Sequence, residues 1–139
     1  MNKKYIDITS YDGEGYQPLV HFESWRCAVL RYIDELELEN LKDMQKHDET
    51  DELFILLEGK CVLFTGGQGD ELNDFDAIDM EPLKIYNVKK GTFHTHTLKE
   101  NSTVLIVEND NTYDCNSPKI FLNEEQKAIL VELGRKLGY

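Results

Sequence analysis

Three of the four histidines in this chain fall in two short polar clusters. In the first, Gln45-Lys46-His47-Asp48-Glu49-Thr50-Asp51-Glu52, an imidazole and several carboxylates stand directly before the apolar run Leu53–Leu57. The second, Gly91-Thr92-Phe93-His94-Thr95-His96, supplies two more imidazoles on what reads as a strand. Two imidazoles and a carboxylate form a facial set suited to divalent iron, manganese, nickel or zinc, with positions left open for a ligand. A carboxylate in the set favours harder ions over a thiolate-type site.

Spacing decides which side chains can meet. His47 and Glu52 are five apart, so an unbroken strand would aim them at opposite faces. Asp48-Glu49-Thr50 is turn-forming and breaks the strand, which lets both aim at one point. Gln45 shares a face with His47, and His94 shares one with His96. If the His94 strand crosses opposite the first cluster, His94 meets His47 and Glu52. Each residue also has a plainer reading. His47 and Glu52 could be a hydrogen-bonded turn pair, and Glu52 without an ion is a candidate general base. His96 reads as a pocket-lining donor, or as a further ligand. Phe54, Tyr86 and Phe93 read as core aromatics that would wall the pocket where they face inward. His21 reads as a surface residue, and Arg26 and Arg31 as a solvated strand face.

The elements that carry these residues are mostly strands. Residues 1–18 read as an irregular arm, with a short strand near Tyr5–Ile8. From Ser24 onward apolar residues alternate at the β period. Asp34–Lys46 reads as a loop leading into a strand at Met44–His47. Leu53–Glu58 and Lys60–Thr65 form a hairpin at Glu58-Gly59, where glycine provides positive φ. Ala77–Met80, Lys84–Val88, Phe93–Leu98 and Thr103–Glu108 follow at the even spacing of a sandwich or barrel. Asn123-Glu124-Glu125-Gln126 is a capping box that opens a terminal helix over about 124–137, weakened at Gly134–Gly138.

At 139 residues the chain suits one domain with one core. No apolar run approaches the roughly 20 residues that span a bilayer. No hydrophobic stretch follows Lys3 and Lys4, so no signal peptide is expected and the expected compartment is the cytoplasm. Cys27, Cys61 and Cys115 form no CxxC pair and read as reduced thiols. A net charge of −12 disfavours nucleic acid and anionic membrane as partners, since both need basic patches. No nucleotide-cofactor motif is present.

The run His47-x4-Glu52-x6-Gly59 resembles the second half of the first cupin motif, and Gly91-x2-His94 resembles the core of the second. The resemblance covers about residues 24–109. It implies an all-β cupin jelly-roll barrel, commonly a homodimer, with a metal and small-molecule site inside. By position, the cupin metal ligands fall on Gln45, His47, Glu52 and His94. Three positions depart from the pattern: Gln45 replaces a histidine, Lys89 a proline and Leu98 an asparagine.

Two functional readings stand at this point. One is a barrel that binds a small molecule in its interior, through a divalent metal or without one. The other is a metal-dependent isomerase, lyase or dioxygenase acting on a sugar, hydroxy acid or similar metabolite.

Overall fold

A computed structural model describes residues 5–139. Ten strands form two antiparallel sheets, followed by one helix. The strands are β1 (Gly15–Phe22), β2 (Trp25–Arg31), β3 (Asp43–Gln45), β4 (Glu52–Glu58) and β5 (Cys61–Thr65). They continue as β6 (Asp76–Asp79), β7 (Ile85–Val88), β8 (His94–Leu98), β9 (Thr103–Asn109) and β10 (Lys119–Phe121), and the helix is α1 (Glu124–Lys136). One sheet has the order β1-β2-β9-β4-β7 and the other β10-β3-β8-β5-β6. From β2 to β9 the chain repeatedly crosses from one sheet to the other, and the inner order of both sheets is that of a jelly roll.

The core has two layers. Between the sheets lie Ala28, Leu30, Phe54, Leu56, Cys61, Leu63, Leu98, Val104 and Ile106. On the outer face of the second sheet, Met44, Val62, Phe64 and Phe93 pack with Leu38, Leu122, Leu130 and Tyr139. β5 is therefore buried on both faces, with Cys61 and Leu63 inward and Val62 and Phe64 outward. That placement accounts for its unbroken apolar run. α1 closes the outer layer. Asn123 accepts from the Gln126 backbone amide at 2.8 Å, and the Gln126 side chain accepts from the Asn123 amide at 3.0 Å, as the capping box requires. Gly134 is not a weak point of the helix. It is buried, and Leu38 seats so closely there that a Cβ would meet its side chain at 2.7 Å.

Three expectations need correction, and one strand was not foreseen. No strand forms near Tyr5–Ile8; among the described residues the first strand is β1, which contains Pro18. Pro18 is tolerated because β1 is an edge strand, and the register with β2 shifts between Pro18 and Val20. The strand expected over Met44–His47 ends at Gln45, and two short 3-10 turns at Asp34–Leu36 and Leu38–Asn40 precede it. β10 carried no signal of its own. It is three residues long and exists by pairing with β3, Lys119 opposite Gln45 and Phe121 opposite Asp43.

The β4–β5 hairpin turns on Gly59, at φ +83. A Cβ there would run into the hydroxyl and backbone of Ser102. Ser102 is fully buried and its Oγ accepts from Lys60 N at 2.8 Å. Gly59→Ala should therefore cost more than about 2 kcal/mol, combining left-handed strain with overpacking. A urea titration should show a lower midpoint with unchanged slope; an unshifted midpoint would refute this account of the turn.

Candidate metal centre

The loop between β3 and β4 is pinned from two directions. Lys46 N donates to Pro118 O at 3.0 Å, Asp48 N donates to Asn116 O at 2.9 Å, and Gly91 N donates to His47 O at 2.8 Å. The turn-forming run after His47 thus bends the chain so that His47 and Glu52 converge. His94 begins β8, opposite Gln45 of β3 and Thr65 of β5. The resulting set is His47, Glu52 and His94, all buried, with one ligand atom from each lying within 4.8 Å of the others.

Hydrogen bonds fix how each ring faces. His94 Nδ1 donates to Thr92 O at 2.9 Å, which leaves Nε2 pointing inward. Ser117 Oγ donates to Asn116 Oδ1 at 3.2 Å and accepts from His47 Nδ1 at 2.7 Å, with the same result for His47. His94 Nε2 lies 3.0 Å from Glu52 Oε1, and His47 Nε2 lies 3.3 Å from Glu52 Oε2. Each inner nitrogen therefore faces a carboxylate oxygen, and the contact is bridged by positive charge, a proton as in the His94–Glu52 hydrogen bond or a cation in its place. Backbone or side-chain partners on the outer nitrogens are what metal-ligating histidines use to fix their tautomer. The donor set fits a divalent ion.

The electrostatics agree. Burial works against charge on Glu52, but its hydrogen bonds to His47 and His94 outweigh it and hold the carboxyl well below its ordinary value. Burial likewise opposes charge on His94, yet its bond to Glu52 raises it above the usual imidazole range. His96 has no such partner. Burial lowers it to about 4, so the ring is neutral, and its Nδ1 has no hydrogen-bond partner among the described residues.

Sequence reading missed Glu108. β4 and β9 pair with Leu53 opposite Val107, so Glu108 is the next step along from Glu52. Arg26 of β2 pairs directly with Glu108. A polar row, Arg26–Glu108–Glu52, therefore crosses the sheet toward the histidines. Arg26 Nη2 donates to Glu108 Oε1 at 2.9 Å and Tyr16 Oη donates to the same oxygen at 2.8 Å. Arg26 also donates to the backbone of Asp110 and Thr112, so it faces inward and is not part of a solvated face. Burial and the neighbouring Glu52 carboxylate push the Glu108 carboxyl up to about 8. The signal available in the sequence was weak: one acidic residue ending a strongly apolar strand, which reads as a terminator.

A cavity of about 440 Å³ opens onto this centre. Gln45, His47, Glu52, His94, His96 and Glu108 all line it, with Tyr16 and Tyr113 also contributing. Gln45 Nε2 donates to Ser117 O at 3.0 Å. Phe54 lies behind the site, its ring 5.9 Å from that of His94 and 5.7 Å from that of His96. Phe93 and Tyr86 do not line this cavity. Phe93 precedes His94 by one residue, so strand alternation turns it into the outer core layer. Tyr86 packs at the opposite edge, where its hydroxyl accepts from Glu81 N at 2.9 Å. His21 is exposed on β1, 3.6 Å from Asp110.

No protein-family model and no curated protein matches the sequence. Solved structures do match the fold. A histidine-to-glutamine variant of Streptomyces PAC13 with uridine matches at TM-score 0.55 and 9% identity, covering 83% of this chain and 87% of that one. The Fe(II) form of HppE matches at 0.52 and 19% identity, covering 68% of this chain and 48% of that one. A cupin-2 domain protein from Shewanella frigidimarina matches at 0.49 and 18% identity, covering 70% and 82%. The strand order is the jelly roll that the resemblance to the cupins implies, and the likenesses to PAC13 and HppE agree with that fold, which is all they show. Among the described residues no helix is long and apolar enough to cross a membrane.

The Glu108 shift has a sign that can be measured. Its carboxyl stays protonated in the fold up to about 8, whereas the unfolded chain releases that proton near 4.5. The stabilisation is complete below the unfolded value and is lost as pH rises through the folded one. In Glu108→Gln the amide imitates the protonated form throughout. The melting temperature of metal-free wild type should therefore fall relative to that of Glu108→Gln between about pH 5 and pH 8. A difference that stays constant across that range would show that the two carboxyls share no proton.

Proposed function

We propose that this chain binds a small polar metabolite in its cavity through a divalent ion held by His47, Glu52 and His94. The observation that carries this is the two inward-facing Nε2 atoms, on histidines whose outer nitrogens are held by Ser117 and Thr92, set against both oxygens of Glu52. An ion there would act as a Lewis acid on a ligand oxygen. The chain's own residues supply the remainder. Thr92 O and Ser117 Oγ hold the imidazoles, Phe54 fixes the ring planes from behind, and neutral His96 offers an uncharged contact at the cavity wall.

A cavity of about 440 Å³ has room for a metabolite-sized ligand. The carboxylate in the set and the lack of thiolates support manganese or iron ahead of soft ions. The Fe(II) form of HppE is in keeping with that choice, but at 19% identity the likeness argues for the fold only. A metal-dependent isomerase, lyase or oxygenase is the second reading. It is favoured by the cavity opening directly onto the converging donors, which leaves coordination positions for a substrate.

Metal analysis of untagged protein, followed by calorimetric titration with Mn(II), Fe(II), Ni(II) and Zn(II), tests the first reading. One ion per chain is expected. His94→Ala and Glu52→Gln should each weaken binding by more than about 100-fold, the upper end of what losing an outer partner costs. No uptake of any of the four ions by the wild type would overturn the metal reading. Uptake that both variants preserve would place the ion elsewhere.

A further inference from the structure

Glu108 Oε2 is the unexplained atom of this cavity. The residue is 6% exposed, yet Oε2 has no hydrogen-bond partner among the described residues. Its sister oxygen is fully engaged, accepting from Arg26 Nε and Nη2 and from Tyr16 Oη. Three donors on one oxygen lock the carboxyl plane and leave the other oxygen aimed inward, 3.8 Å from His47 Nε2. A bare buried carboxylate oxygen is costly, so this one calls for positive charge beside it, a proton shared with Glu52 in the metal-free protein or a cation in its place.

Gln45 lines the same cavity but offers the set only a neutral amide oxygen. Its amide nitrogen donates to Ser117 O, which ties the side chain to the segment before β10. A neutral amide oxygen is also a poorer donor than a carboxylate toward a hard cation.

Building on the proposed metal reading, we infer that Glu108 is itself a metal ligand, so that the centre is a two-histidine, two-carboxylate set of His47, His94, Glu52 and Glu108. Arg26 and Tyr16 are then its positioning residues, acting on Oε1 while Oε2 reaches the ion. The second carboxylate offsets the charge that a divalent ion brings into a pocket already holding the Arg26 guanidinium. It also shifts preference toward Mn(II) and Fe(II) over Zn(II) and Ni(II), because each added oxygen donor hardens the site.

Titration calorimetry with Mn(II) and Zn(II), together with the visible spectrum of the Co(II)-loaded protein, tests this without any assay of turnover. Glu108→Gln keeps an oxygen acceptor for Arg26 and Tyr16 but removes the anionic donor. It should weaken Mn(II) by about 100-fold or more, and Zn(II) by less. The Co(II) bands should move. Tyr16→Phe disturbs the anchor while sparing the donor, and should leave the Co(II) bands in place. Melting of the metal-free variants checks folding, and a Glu108→Asp variant that retains part of the Mn(II) affinity covers the case in which Glu108→Gln does not fold. Wild-type binding that Glu108→Gln matches in affinity and spectrum would overturn Glu108 as a ligand while leaving the His47–Glu52–His94 centre intact. Equal spectral changes in Glu108→Gln and Tyr16→Phe would reduce Glu108 to a structural strut. Absence of binding in the wild type would overturn both readings together.

Discussion

Glu52 presents both its oxygens to the inner nitrogens of two imidazoles whose outer nitrogens are held by other partners. The arrangement holds only if positive charge lies among these atoms, and much of the nearby structure serves to hold them there. The Thr92 carbonyl and the Ser117 hydroxyl orient the histidines. Three backbone bonds hold the turn that brings His47 back toward Glu52. Behind both, Phe54 is fully buried and leaves His94 and His96 no room to swing away. Desolvation raises the stakes, because in a dry site an unmatched acceptor costs more than it would in water.

That constraint reaches across the sheet through strand register. β2, β9 and β4 are neighbours, so Arg26, Glu108 and Glu52 form one row on the inner face. A slip of one residue in β9 would send Glu108 outward and bring an apolar residue against Glu52. The apolar cross-strand pairs hold the register: Cys27 with Val107, Ala28 with Ile106, and Leu53 with Val107. The hydrophobic core thereby sets the electrostatics of the site.

Much of this architecture was legible in the sequence. Alternation and turn chemistry located most of the strands between Trp25 and Glu108, and the capping box located the helix. The convergence of His47, Glu52 and His94 could be read because a turn-forming run lay between His47 and Glu52, where a strand would have kept them apart. The failures have a common physical origin in pairing. β10 and the first half of β1 are too short or too irregular to declare themselves, and they are strands only because a neighbour supplies the hydrogen bonds. Glu108 was invisible for the same reason. Its role comes from what lies beside it on two adjacent strands, and nothing within its own strand encodes that. Phe93 is different, because the alternation that paired His94 with His96 already turned Phe93 away from them.

The substitution at position 45 gains meaning from its neighbourhood. Gln45 is neutral and tied to Ser117, and Glu108 is anchored through Oε1 with Oε2 left 3.8 Å from His47 Nε2. With Glu108 as a ligand, the neutral amide on one sheet and the anchored carboxylate on the other belong to one centre, in which the second oxygen donor supplies the charge that Gln45 does not.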